Sequence, residues 1–407
     1  MPTSTIAPPI IPHILEGREI AAEGPALLDV TNPATGDVIG RVPMGTAEDV
    51  ARAVRFAAKA QLAWSAKPIK DRVQVIYKLK ALLEENARRL GELITLENGK
   101  TKAEAEGELL RGVECCEYAA SLPQVAAGNV LEVGRGVECK LQRVPLGVVA
   151  AITPFNFPLM VPLWMAPTAI ACGNALILKP SEQTPLSAIE LGRLFAEAGL
   201  PPGVFNVVHG GREVVEAICD EPAIQAIGFV GSTRVAKAVY TRGCANGKRV
   251  KALGGAKNHL VVVPDAEVEM TVANVVASAT GCAGQRCMAA SVLIAVGEVD
   301  HILDRIKATF KGMLAGRDIG PVISAQARDR IIGYIARAAG TEVAVDGRQQ
   351  VAADAPAGGH YVGPTVFDRS KPDSEVCCDE IFGPTLTIVR VNTIDEALAI
   401  ENANPYG

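Results

Sequence analysis

Of the residues in this chain that could do covalent chemistry, Cys287 has the most telling surroundings. It closes Gly281-Cys-Ala-Gly-Gln-Arg-Cys287, between a small-residue segment, VASATG, and an apolar run, SVLIAVG (291–297). A thiol reacts as its thiolate, so a neighbouring cation and open space both favour it. Arg286 could lower its pKa, and Gly284 allows close approach of a substrate. The competing reading is a small core hydrophobe, and the chain has 10 cysteines. They form no C-x-x-C pair and no metal spacing, as for reduced thiols in a cytoplasmic compartment. The 5 histidines, at 13, 209, 259, 301 and 360, stand in no triad-like setting, so a Cys–His hydrolase is not indicated. A second feature is Gly228-Phe-Val-Gly231-Ser232-Thr233 at a helix start, where free N–H groups could hold a phosphate. An ordinary helix cap explains the same residues, and the usual G-x-G-x-x-G fingerprint is missing.

The elements that must position these residues can be read from the apolar pattern. The 407 residues suggest two to three domains at roughly 150 residues each. Apolar residues make up 49%, and Lys+Arg 40 stand against Asp+Glu 45, a globular composition with no basic field for nucleic acid or anionic lipid. The opening segment, MPTSTIAPPIIPHILEGREI, has neither a secretory nor a transit-peptide pattern. Residues 27–43 predict a hairpin around NPATGD. Three amphipathic helices follow: one capped by Thr46 and Asp49, one carrying Val73, Ile76, Leu79, Leu83, Leu90 and Ile94, and one carrying Leu109, Val113, Cys116 and Ala120. Arg111 faces away from the last stripe and reads as a solvated arginine on pattern alone. No residue from Val144 to Leu178 is charged, yet five prolines interrupt the run, so it predicts strand, loop, helix and strand rather than a membrane span. Strand-like runs at 147–153, 175–180, 204–210, 226–232, 259–265 and 291–297 alternate with helical ones, predicting α/β domains with doubly wound parallel sheets. In such sheets ligands bind beyond the carboxyl ends of the strands.

Six ordered segments resemble signatures of the aldehyde dehydrogenase superfamily. They are Thr153-Pro-Phe-Asn156-Phe-Pro, Lys179-Pro-Ser-Glu182-Gln183-Thr-Pro, Gly228-Phe-Val-Gly231-Ser232-Thr, Leu253-Gly-Gly-Ala-Lys-Asn-His259, Gly284-Gln-Arg-Cys287 and Glu380-Ile-Phe-Gly-Pro384. The resemblance runs from about Asn32 to the last residue. It implies that Cys287 attacks the aldehyde carbonyl, with the Asn156 side-chain amide and the Cys287 N–H as oxyanion donors, each worth about 3–4 kcal/mol. It also implies Lys179 and Glu182 on the adenosine ribose, Ser232 on the pyrophosphate and Glu380 on the nicotinamide ribose. Thr153, Phe155, Gln183 and Gly254 match further cofactor contacts. Glu182 would repel a 2′-phosphate, which favours NAD over NADP. The implied fold has an NAD-binding domain (1–133 and 152–253), a protruding β-arm (134–151) that pairs subunits, and a catalytic domain (254–407). A homo-oligomer, a tetramer in the family, is expected, without nucleic acid or membrane partners.

One departure changes the expected chemistry. Hydrolytic members carry a Glu at the head of Glu-Leu-Gly-Gly as the base that activates water; this chain has Ala252-Leu253-Gly254-Gly255. Ala cannot abstract a proton, so the thioester calls for a better nucleophile, and a thiol such as CoA is one. Gly254 to His259, the Gln-Arg-Cys-Met run and Val161-Pro-Leu-Trp-Met165 look like the CoA-acylating methylmalonate-semialdehyde branch, which serves valine and inositol catabolism. In that branch two arginines, matched by Arg111 and Arg286, bind the carboxylate of a 3-oxo acid substrate, as fork-shaped guanidinium groups suit. Oxidation, decarboxylation and transfer to CoA would give acetyl-CoA or propionyl-CoA. The alternatives are a hydrolytic dehydrogenase with a base from elsewhere, or an inactive remnant that only binds nucleotide. The second follows from the final Asn402-Ala-Asn-Pro-Tyr-Gly407, which family members continue into the rest of the catalytic domain, so the chain is expected to be C-terminally incomplete. Lys257, Asn258 and His259 have no role that the sequence supplies, and the remaining cysteines read as packing residues.

Overall fold

The computed structural model describes residues 7–20 and 26–406. Residues 1–6 and 21–25, within the expected NAD-binding domain, and Gly407, the last residue of the expected catalytic domain, lie outside the described residues. The chain forms two compact units. The first comprises the described residues to Thr31, Val38–Glu97 and Ala105–Gly254; the second comprises Asn32–Asp37, Asn98–Glu104 and Gly255 onward.

In the first unit, the short strands β1 (His13–Leu15) and β2 (Arg18–Ile20) precede a hairpin of β3 (Leu27–Thr31) and β4 (Val38–Pro43). Thr46 and Asp49 close a capping box on the helix Ala47–Ser65. The stripe from Val73 to Ile94 is buried as expected, but over two helices, Ile69–Glu85 and Ala87–Asn98, with Asn86 between them. The helix Lys102–Ala120 follows. A second hairpin, β5 (Asn129–Gly134) and β6 (Val137–Leu141), is exposed at every residue. The arm expected over 134–151 therefore needs correcting at both ends. It starts at Asn129, and Val148–Ile152 is a fully buried strand, β7.

The strands β8 (Ala175–Lys179), β9 (Phe205–Val207), β10 (Ile224–Val230) and β11 (Arg249–Leu253) complete the main sheet, ordered β11-β10-β7-β8-β9-β1-β2. The five strands from β11 to β9 are parallel; β1 and β2 add an antiparallel edge that the sequence did not announce. Side chains alternate across the pleat. Val149, Ala151, Leu176 and Leu178 enter one apolar layer, while Val148, Ala150, Ile152, Ala175 and Ile177 enter the other. Burial on both faces is why β7 and β8 read as continuous apolar runs. The uncharged stretch resolves into β7, a loop, the helix Met160–Ala171 and β8. No helix among the described residues is long and apolar enough to cross a membrane.

The second unit holds β12 (His259–Val262), β13 (Val292–Val296), β14 (Glu342–Val345), β15 (Thr365–Asp368) and β16 (Thr385–Val391), ordered β12-β13-β16-β15-β14. Only β14 runs antiparallel to its neighbour. Helices Val268–Thr280 and Asp300–Gly312 cover one face through Val275, Ile302 and Ile306, packed with Leu293 and Ile388.

Candidate active site

In the first unit, chain order runs from β7 outward through β8 and β9, then resumes on the other side with β10 and β11. The winding therefore reverses between β7 and β10, and a ligand crevice belongs beyond their carboxyl ends. The Thr153–Phe157 loop follows β7, and Gly231-Ser232 follows β10, so both flank the reversal. Thr153 is anchored by its N–H donating to the Lys179 carbonyl at 3.1 Å, and the Thr184 hydroxyl donates to the Phe155 carbonyl at 3.4 Å. Asn156 is buried in this loop. Beyond β8, the buried Lys179 ammonium meets Glu182 at 3.1 Å, and the Gln183 N–H donates to the Ser181 hydroxyl at 3.2 Å. Ser232 is the exposed N-cap of the helix Thr233–Ala245, yet its side chain caps no amide. The positive end of that helix remains available to an anion. Gly254 follows β11, and a Cβ there would lie 3.2 Å from both the Cα and the hydroxyl of Thr233.

Two buried glutamates that the sequence did not single out fix these loops. Glu108 accepts hydrogen bonds from the N–H groups of Leu159 (2.9 Å) and Met160 (3.1 Å), at the start of the helix that follows the Asn156 loop. Glu97 accepts from the N–H groups of Leu186 (2.7 Å) and Ser187 (2.9 Å) and from the Ser187 hydroxyl, at the start of the helix after the Lys179–Glu182 loop. Burial pushes the Glu97 carboxyl up to about 7, against the pull of those donors. Neither residue lies near its helix in sequence, so no local capping pattern could have found them. Arg111 is exposed on the helix Lys102–Ala120 and paired with Glu114 at 2.9 Å, as its position off the apolar stripe suggested.

The second unit carries Cys287, the candidate nucleophile. Gly281–Gly284 forms a tight turn in which Cys282, Ala283 and Gly284 all have φ between 51° and 71°. That left-handed conformation strains non-glycine residues. At Gly284 a Cβ would also lie 1.9 Å from the Gly383 carbonyl oxygen, so only glycine fits. Gln285, buried next to the turn, donates to the Cys282 carbonyl at 3.0 Å and accepts from the Ile323 N–H at 2.9 Å. The Asn258 amide donates to the carbonyls of Cys287 (2.8 Å) and Ala289 (2.9 Å). Asn258 thus acquires the role that its sequence position did not reveal.

Cys287 is partly buried, and its thiol is held above the ordinary value, first by burial and then by the negative charge of Glu380, against the pull of the Cys287 and Met288 amides. The expectation that Arg286 depresses this pKa is corrected. Arg286 turns to Glu104, with Nη2 3.5 Å from the carboxylate, and takes no part in the thiol shift. Its Nε is buried without a hydrogen-bond acceptor among the described residues. Arg286 lines a small pocket, partly open to solvent, together with Lys257, Asn258, Ser291 and Glu380. Glu380 accepts from the Ala256 N–H at 3.2 Å, and burial raises its carboxyl pKa. Gly255 is required beneath it, since a Cβ there would lie 2.0 Å from a Glu380 oxygen. Lys257 is lowered to about 8 by burial, opposed by the negative groups from Cys377 to Glu380. His259 pairs with Glu401, a structural contact rather than a pocket one. All 10 cysteines are free thiols, and no metal-binding cluster occurs among the described residues.

Comparison with known proteins agrees with this architecture. The sequence pattern described as the aldehyde dehydrogenase family matches residues 20–407. Malonate-semialdehyde dehydrogenase 1 of Geobacillus kaustophilus is 46% identical over 407 aligned residues, covering 98% of this chain and 83% of that protein. The crystal structure of methylmalonate-semialdehyde dehydrogenase DddC from Oceanimonas doudoroffii superposes with a TM-score of 0.95 at 40% identity, covering 98% of this chain and 84% of that one. A Sinorhizobium meliloti 1021 protein solved with NAD gives 0.95 at 38% identity, with coverage of 99% and 84%. With the doubly wound crevice and the strained cysteine turn in place, the chain belongs to the aldehyde dehydrogenase family and is an oxidoreductase acting on aldehydes.

Proposed function

We propose that this chain oxidises a 3-oxo acid, malonate or methylmalonate semialdehyde, through a thioester on Cys287 that passes to CoA. The observation that carries this reading is Arg286. A half-buried guanidinium whose Nε is buried without an acceptor among the described residues immediately precedes Cys287 in sequence, and it suits an anionic substrate better than a neutral one. The relatives named for malonate and methylmalonate semialdehyde support the same substrate class. Arg111, exposed and free to leave Glu114 at little cost, is the second arginine of this proposal.

Cys287 Sγ adds to the aldehyde carbon, and negative charge develops on the carbonyl oxygen. The Asn156 amide and the Cys287 N–H are the donors assigned to that oxygen. Loss of hydride from carbon then leaves the thioester on Cys287. NAD supplies the hydride acceptor. Ser232 and the uncapped helix start suit its pyrophosphate, Lys179 and Glu182 its adenosine ribose, and Glu380 its nicotinamide ribose, with Thr153, Phe155, Gln183 and Gly254 along its length. The neighbour solved with NAD supports this choice. Ala252 lies on β11 beside Phe229 and offers no base for water, which supports a CoA thiol as acyl acceptor. With the β-carboxylate lost as CO2 before transfer, the products are acetyl-CoA or propionyl-CoA. The free cysteines fit a cytoplasmic enzyme. The hairpin β5–β6, which exposes Val130, Leu131, Val133, Val137 and Leu141, fits a homo-oligomer, with light scattering as its check.

The test is NADH formation from malonate semialdehyde with and without CoA. Sustained turnover should require CoA, and Arg286→Met should raise KM for this substrate while sparing propanal. Multiple turnovers to a free acid without CoA would overturn the acyl-transfer assignment.

A further inference from the structure

Glu104 stands at the third position of the helix Lys102–Ala120, and an acid there after Thr101 forms a capping box. Such a box uses one carboxylate oxygen. Oε2 accepts from the Thr101 N–H and hydroxyl, both at 2.9 Å, and the Glu104 N–H donates back to that hydroxyl at 3.4 Å. The second oxygen does something a cap does not need. Oε1 accepts the Cys282 N–H at 2.5 Å and lies 3.5 Å from Arg286 Nη2. One carboxylate therefore holds the first strained residue of the turn and the guanidinium of the residue that precedes Cys287 in sequence. Gly281 lets the guanidinium lie flat on the backbone: a Cβ there would come within 2.2 Å of Nη1.

The hold on Arg286 is partial. Oε1 already serves a shorter bond to Cys282, the Arg286 contact is long, and Nε is buried without an acceptor among the described residues. A buried donor left unsatisfied is costly, so the arrangement favours arrival of a second anion at the free side of the fork. We propose that Glu104 is a positioning residue for substrate specificity, orienting Arg286 so that its unoccupied donors receive the carboxylate of a 3-oxo acid. This deepens, and rests on, the reading of Arg286 given above.

Glu104→Gln tests it, because glutamine removes the charge and keeps one acceptor oxygen, enough for the capping box but not for the Cys282 N–H as well; propanal therefore reports what the lost turn contact costs any aldehyde. Steady-state rates are measured with NAD and CoA on malonate semialdehyde and on propanal, in which a methyl replaces the carboxylate. The expected result is a fall of about tenfold in kcat/KM for malonate semialdehyde, carried by KM, with propanal changed less than about twofold. Glu104→Asp should recover part of the loss, and adding Glu104→Gln to Arg286→Met should cost nothing further. Equal losses on both aldehydes would show a purely structural role and overturn the proposal, as would no loss on either. Arg286→Met measured alongside separates the two levels. If it keeps the preference for the carboxylate substrate, the reading of Arg286 fails. If it loses that preference while Glu104→Gln keeps it, only the role of Glu104 fails.

Discussion

His13 and His209 meet in the first unit, where β1 joins the sheet, and their protonation should set its acid limit. The rings stack with centroids 5.5 Å apart. The His209 N–H donates to His13 Nδ1 at 3.0 Å, and His209 Nε2 donates to the Pro12 carbonyl at 3.0 Å. These bonds fix both rings as neutral tautomers. A further proton would fall on His209 Nδ1, which is buried without a partner among the described residues, or on His13 Nδ1, which already accepts an N–H. Burial holds His209 down to about 3, with the His13 and Lys179 charges acting the same way, and burial lowers His13 as well despite Asp49. Between that value and about 6.5 the unfolded chain binds a proton that the folded chain does not. Stability is therefore intact above pH 6.5 and lost as pH falls. For His209 alone the loss at pH 5 is about 2 kcal/mol. Both tryptophans, Trp64 and Trp164, lie in this unit, so urea unfolding followed by fluorescence from pH 8 to 5 reads it directly. His209→Gln keeps a donor for Pro12 and removes the titration, so its stability should fall by about 2 kcal/mol less over that range. An unchanged pH slope in the variant, or a His209 ring titrating near 6.5 by NMR, would refute the argument.

Three further outcomes follow from the second unit. Alkylation of Cys287 by iodoacetamide should accelerate with pH beyond 9, and Glu380→Gln, which removes a charge that raises the thiol, should speed alkylation at pH 8. Gly255→Ala places a methyl against the Glu380 carboxylate and should raise KM for NAD at least severalfold, read from initial rates at saturating aldehyde. Asn258→Leu strips two carbonyls around Cys287 of their donor. It should cost about 1–3 kcal/mol in thermal unfolding and lower kcat with every aldehyde; loss of one substrate alone would argue against a scaffolding role.

The parts of the fold that were legible in the sequence are those whose signal is local. β7 and β8 are buried on both faces, so their composition alone betrays them, and Thr46 with Asp49 writes a helix start within four residues. β11 was missed because Arg249, Lys251 and Leu253 face outward and break the apolar run, and β1 and β2 are too short to show alternation. The single stripe expected over Val73–Ile94 became two helices because a bend at Asn86 leaves the spacing of apolar residues nearly intact. Cys287 and the strand-end loops were readable as motifs. What Arg286 does with its charge was not, since its partner Glu104 lies far away in the chain and already has a sufficient local explanation as a cap.

Glu97 and Glu108 carry a lesson for anyone redesigning this protein. The loops after β7 and β8 each end where a helix begins, and that beginning is clamped by an acid imported from another helix. Loop composition is thereby uncoupled from helix placement. On the proposed function, residues between Lys179 and Gln183, and those beside Asn156 in the Thr153–Phe157 loop, are the ones to exchange for a different cofactor, with the clamps keeping both helices in register. Changing either clamp would move a whole loop at once, so a library built for new specificity should vary the loops and leave the two glutamates alone.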